Sequence, residues 1–161
     1  MNIFKNKNSP NAQGTYISVN CDLQTSISNR VDFNTQNIEF QQDPNSTRIE
    51  FTASAFEKNL VNYGKGMTFR FRSDIQSGSY NPTDSDFPFE IFQYYEGGAS
   101  DSYSTFYNYS PESGTIDVEV ISNDSQALRY LINFDFKGKD HRTEELHITG
   151  RAELNVYMRA S

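Results

Sequence analysis

Tryptophan is absent from the 161-residue chain, cysteine occurs once and histidine twice. The lone Cys21 excludes an intrachain disulfide and reads as a small buried hydrophobe. His141 and His147, with no cysteine beside them, fall short of the three or four converging ligands of a zinc site. Phosphate-loop and dinucleotide glycine motifs are missing, and so is the Gly-x-Ser-x-Gly nucleophile elbow. No apolar run approaches the length of a membrane span. The weakly basic start, with Lys5 and Lys7, is not followed by the apolar stretch of a signal peptide. The expectation is a soluble chain that does not insert into a membrane, with a cytoplasmic and an exported mature form both open. Alanine and leucine are sparse, which argues against long helices.

Positive charge is also scarce. Fourteen Lys and Arg stand against twenty-one Asp and Glu, a net charge of −7. Such a chain repels phosphate backbones. The aromatic stretches Phe87–Tyr95 and Tyr103–Tyr109 contain no cation, whereas nucleic-acid platforms pair stacking rings with Lys and Arg. Nucleic acid is therefore excluded as a partner.

What the chain has is aromatic area, 13 Phe and 10 Tyr in a sequence only 35% hydrophobic. Large rings bury much surface per residue and suit pleated, half-buried strands. Apolar residues recur at every second position in Arg48–Ser54, Met67–Arg72, Ile116–Val120, Ala127–Phe136 and Glu144–Met158. Thr15–Asn20, Val31–Phe33 and Ile38–Phe40 repeat the pattern more briefly. Phe87, Phe89 and Ile91 share one expected face. Asp43–Ser46, Asn81–Thr83, Gly97-Gly98, Ser110–Gly114, Ser122–Ser125 and Lys137–Asp140 carry turn residues. Ala55–Asn62 is the one stretch that suits a helical turn. Gly150 keeps the alternation on either side of it, so it marks a bend or a close backbone approach. Eight to ten short strands without a βαβ pattern predict an all-β fold. The first expectation is an antiparallel two-sheet β-sandwich, jelly-roll-like or immunoglobulin-like, and the alternative is a calycin-like β-barrel. Residues 1–14 read as a flexible N-terminal arm, and residues 15–161 as a single domain.

From Ser77 onward the chain resembles a recurring pattern. Gly78-Ser79-Tyr80 leads into an aromatic hairpin, and Ser113-Gly114-Thr115-Ile116 opens the next strand. A Tyr-x-Ile-x-Phe-x-Phe strand, Tyr130–Phe136, and a closing Ile-Thr-Gly-x-Ala-x-Leu-x-Val segment, Ile148–Val156, follow. These features resemble uncharacterised small all-β domains of bacterial surface lipoproteins. The resemblance covers about half the chain and rests on strand and turn chemistry. It implies the fold and imports no activity; the lipid-attachment motif of those proteins is not present.

Two groups of residues are candidate sites. Tyr94, Tyr95, Tyr103, Phe106, Tyr107 and Tyr109 cannot all point inward if their strands alternate, so some rings lie on a recognition surface for a protein or glycan partner, or for a second copy in a homodimer. Asp84 and Asp86, in the loop Asn81–Asp86, offer alternating oxygens of the kind that bind calcium, with Glu90, Glu96 and Asp101 able to contribute if the hairpin folds back. No residue is singled out as catalytic. The functional expectation is a non-enzymatic binding module that presents the Phe87–Tyr109 hairpin and adjacent loops. The alternatives are a carrier of a small apolar ligand inside a barrel and a hydrolase with scattered acidic residues.

Overall fold

Alternation decides which face of each strand is buried. In Ala127–Lys139, residues Leu128, Tyr130, Ile132, Phe134 and Phe136 are buried, while Asn133, Asp135 and Lys137 between them are exposed. The computed structural model describes residues 2–5, 9–10, 15–56, 64–99 and 102–160. These form twelve strands: β1 Asn2–Lys5, β2 Ser9–Pro10, β3 Thr15–Ile27, β4 Phe33–Thr35, β5 Ile38–Gln42, β6 Arg48–Phe56, β7 Gly64–Arg72, β8 Gly78–Tyr80, β9 Phe89–Ala99, β10 Ser104–Asn123, β11 Ala127–Lys139 and β12 Glu145–Ala160. There is no helix among the described residues, and hence none long and apolar enough to cross a membrane.

All pairings are antiparallel. They run as one path in the order β1-β5-β6-β7-β9-β10-β11-β12-β3-β2, with β4 beside β3 and β8 beside β10. Apart from β8, chain neighbours from β5 to β12 are sheet neighbours, which is a meander. The expected division into two sheets is not what this path gives. Strand β10 carries the chain from one half to the other: Ser104–Tyr109 pair with β9, and Ser110–Asn123 pair with β11. The pivot is the register shift between Pro111 and Ser113, followed by Gly114 at φ 120°. The Ser110–Gly114 turn expected from sequence is therefore a bend within one long strand. The sheet curls into a half-barrel, and the barrel-like alternative fits it.

Curling brings the two halves face to face over an aromatic interior. Phe92 of β9 meets Phe134 and Phe136 of β11 at 5.7 and 5.6 Å between ring centroids, and Phe71 of β7 meets Tyr130 at 5.0 Å, all edge to face. Such geometry sets the positive ring edge against the negative face. At the seam the chain itself links the halves. Strand β4 pairs with β3, and β5, two residues later, pairs with β6. Thr35 Oγ1 donates to the Ser54 carbonyl at 2.8 Å.

Several expectations change in detail. Strand β3 continues past Asn20 to Ile27, burying Cys21, Leu23, Thr25 and Ile27. Val31 is not in a strand and is 76% exposed. The register of β9 against β7 slips between Arg70 and Phe71, so Phe89 and Phe92 are buried and Ile91 is only half-buried. That slip turns Phe92, Tyr94 and Glu96 inward. Gly97-Gly98 is not a turn; it pairs with Phe106 and Thr105 inside the hairpin. Gly150 marks a close approach, because a Cβ there would overlap the Gln24 carbonyl oxygen and the Phe134 ring. Of the expected arm, Asn2–Lys5 pairs with β5 and Ser9–Pro10 with β3, and its remaining residues lie outside the described ones. Of the expected helical turn, Ala55 and Phe56 belong to β6, and the rest lies outside the described residues.

Candidate functional site

One end of the interior is closed by charge rather than by rings. The inner faces of β7, β9 and β10 supply Lys65, Glu96, Thr105 and Tyr107 there. The β3–β4 loop adds Arg30 and Val31, and the β11–β12 loop adds Arg142. These residues and Gly97 line a concave mouth of about 340 Å³. Tyr94 and Tyr109 are fully buried, with ring centroids 5.9 Å apart.

Arg30 organises the first half. Its Nε donates to both Glu96 oxygens at 3.1 Å, and its Nη2 donates to Glu96 Oε1 at 3.0 Å and to Glu144 Oε1 at 2.8 Å. Tyr94 donates its hydroxyl to Glu96 Oε2 at 3.0 Å. Arg142 organises the second half. It donates from Nε to Asp140 Oδ2 at 2.5 Å and from Nη2 to Glu144 Oε2 at 2.8 Å and Tyr109 OH at 3.1 Å. Its guanidinium carbon lies 3.5 Å from the centroid of the Tyr107 ring, a cation–π distance. His141 stacks on the same ring at 5.5 Å. The Tyr109 hydroxyl sits 3.3–3.4 Å from oxygens of Glu96, Asp140 and Glu144 and has one proton to share among them.

The β11–β12 loop is held in a costly backbone shape. Among the described residues, Asn29 at φ 58° and Thr143 at φ 66° are the non-glycine residues with positive φ. Each adjoins one of the mouth arginines. A β-branched threonine in that region is an outlier and persists only where its surroundings over-determine it. Here Asp140 does so. Its Oδ1 accepts from the backbone N–H of Arg142 and Glu144, and its carbonyl accepts from that of Thr143.

Ionisation follows from the same contacts. Hydrogen bonding by Arg30, reinforced by Arg142, holds Glu144 below the usual carboxylate range. Burial works to raise Asp140, yet the hydrogen bonds from Arg142 and the two backbone N–H groups hold it low. Burial, then the neighbouring carboxylates, pushes Tyr109 up to about 12. Tyr94 is raised by burial first and by Glu96 second. At neutral pH, Asp140 and Glu144 are thus charged and both tyrosines protonated.

The six aromatic candidates divide between two faces. Tyr107 lines the mouth, and Tyr94 and Tyr109 are buried beneath it with their hydroxyls on Glu96 and Arg142. Tyr95 and Phe106 lie on the outer face with centroids 5.4 Å apart, Phe106 being 58% exposed, and Tyr103 near the hairpin tip is 67% exposed. Asp84 and Asp86 are exposed in a loop closed by Asn81, whose Oδ1 accepts from the Thr83 N–H at 3.0 Å. Glu90 pairs with Arg48, Glu96 belongs to the mouth, and Asp101 lies outside the described residues. Among the described residues, no three His, Cys, Asp or Glu side chains converge as a metal site. His147 faces the polar side and pairs with Asp135 at 2.7 Å.

Sequence reading missed Arg30, Lys65, Arg142, Glu144 and Asp140. The one local signal is Asp140-x-Arg142-x-Glu144, alternating charge in a turn. Nothing around Arg30 ties it to Glu96, 66 residues away. Comparison with known proteins finds no matching family model, no matching curated protein and no matching solved structure. The class defined here is a curled antiparallel half-barrel with a filled aromatic interior and a polar, arginine-built mouth.

Proposed function

We propose that this protein is a non-enzymatic binding module whose ligand sits in the mouth, between the inner face of the β9–β10 hairpin and the loops carrying Arg30 and Arg142. The observation that carries this reading is a concavity of about 340 Å³ flanked by a loop held in a strained conformation at Thr143, an investment that a passive plug does not require. Catalysis by scattered acids is less well supported. A general acid needs a pKa near the working pH, and Asp140 and Glu144 are pushed the other way. An apolar carrier needs empty apolar space, whereas Phe69, Phe92, Phe134 and Phe136 fill the interior against one another. A second reading, a protein or glycan partner or a second copy docking outside the hairpin, has the exposed Phe106 and Tyr103 in its favour.

A mixed set of small acids, amines, amides and sugars, titrated into ¹⁵N-labelled protein, tests the mouth. Saturable shifts at the amides of Val31, Gly97 and Thr105 are expected. Shifts confined to the outer face near Tyr95 and Phe106 would transfer the function there, and no saturable shift at all would remove the reading.

A further inference from the structure

The mouth is asymmetric in what it leaves unused. Every one of its carboxylate oxygens is already engaged. Glu96 accepts from Arg30 and Tyr94, Glu144 from Arg30 and Arg142, and Asp140 from Arg142 and two backbone N–H groups. Its donors are not. Among the described residues, the Lys65 ammonium has no acceptor, and neither does Nη1 of Arg142, whose Nε and Nη2 are both engaged. An ammonium carries three donors and a guanidinium Nη two. A ligand that completes the site therefore brings acceptor oxygens and need bring no donor.

Charge narrows the class further. Arg30, Lys65 and Arg142 are balanced by Glu96, Asp140 and Glu144, three against three. The chain as a whole is at −7. That field disfavours a doubly charged phosphate more than a single negative charge. The size lies at the low end for small-molecule sites, and Val31 and the Tyr107 ring give the wall an apolar part. Resting on the binding reading above, we propose that the mouth takes the carboxylate of a small organic acid, held by Lys65 Nζ and Arg142 Nη1.

The test uses benzoate as probe, benzamide as its neutral counterpart and inorganic phosphate as the competing anion, all at constant ionic strength against the full chain. Benzoate is expected to shift the Val31, Gly97 and Thr105 amides saturably. Benzamide should bind about tenfold more weakly or worse, since a charge-assisted hydrogen bond is lost. Lys65→Met should weaken benzoate by about tenfold with an unchanged far-ultraviolet spectrum, and Lys65→Gln replaces it if that spectrum changes. Equal binding of benzoate and benzamide, tighter binding of phosphate, or an undiminished benzoate affinity in the lysine variant would each overturn the proposal. If neutral compounds alone shift the mouth amides, only the carboxylate assignment fails. If nothing shifts them, the binding reading fails with it.

Discussion

Replacing Phe92 by alanine tests whether the interior is as filled as its ring contacts indicate. The side chain is 3% exposed and meets Phe69, Phe89, Phe134 and Phe136 at centroid distances of 5.1, 5.0, 5.7 and 5.6 Å, all edge to face. It therefore joins β7 and β9 to β11 across the curl of the sheet. Burying roughly 200 Å² of ring at about 25 cal/mol per Å² gives about 5 kcal/mol as an upper bound. A compact unfolded state already hides part of that surface, which brings the figure to about 3–4.5 kcal/mol. Phe→Ala changes in packed cores cost about 3–5 kcal/mol, so about 4 kcal/mol is expected here. For a chain of this length that lowers the melting temperature by about 8–16 °C. Urea unfolding followed by circular dichroism suits a protein without tryptophan, and an unchanged slope would locate the effect in stability. Phe106→Ala, on the outer face, should stay within about 1 kcal/mol of the parent protein. A loss below about 1.5 kcal/mol for Phe92→Ala would mean that the interior collapses freely around the gap or was never tightly packed.

The mouth network makes its own predictions. Glu96→Gln leaves Arg30 with Glu144 as its one charged partner and weakens the acceptor for Tyr94. It should cost about 1–3 kcal/mol in urea unfolding, and a neutral result would reduce the Arg30–Glu96 pair to decoration. Asp140 and Glu144 have depressed folded-state pKa values. The stability they contribute is present above their unfolded values and lost as pH falls through the folded ones. The urea midpoint should therefore fall from about pH 5 downward, less steeply in Glu144→Gln, and parallel profiles would contradict this. Burial, with Asp22 adding to it, pushes the Cys21 thiol up to about 12. Alkylation in mildly alkaline buffer should wait on unfolding, and rapid labelling of the folded protein would show β3 to be open at that point. Gly150→Ala should fail to fold or melt far lower, because its methyl group would meet the Gln24 carbonyl oxygen on the facing strand.

The strands were legible wherever alternation was unbroken. Leu128 to Phe136 on β11 and Ile49 to Ala53 on β6 are buried as their spacing predicts. Reading failed at irregularities that belong to the partner strand. The register slip between β7 and β9 exchanges Ile91 for Phe92 on the inner face, and no residue of β9 announces it. Gly97-Gly98 carries strong turn chemistry, yet both residues pair in the hairpin. A Cβ at Gly97 would meet the Thr105 carbonyl oxygen at 2.6 Å, so glycine there serves close approach rather than reversal. On β3, Thr25 interrupts the apolar series, although it faces inward with Leu23 and Ile27. Its hydroxyl finds Met67 Sδ at 3.8 Å, a tolerable interior partner that only the fold supplies.

The mouth was hidden for a different reason. Its aromatic half could be suspected, since Tyr94, Tyr107 and Tyr109 stand in a stretch too rich in rings for one face to bury. Its charged half could not, because an arginine in a loop is the commonest of solvated residues until its acceptors are known. Arg30 meets Glu144 across 114 residues and Glu96 across 66. Those pairs exist only because the sheet curls far enough to set the β3–β4 and β11–β12 loops beside the same hairpin. The curl in turn depends on the bend at Pro111–Gly114 that hands β10 from β9 to β11. Strand alternation thus fixes the faces, the bend fixes the curl, and the curl assembles the charges. A site made at the third step leaves almost no mark on the local sequence, except in residues held against their backbone preference. Thr143, beside Arg142, is such a residue, and it connects the cost of its loop to the geometry that arginine requires.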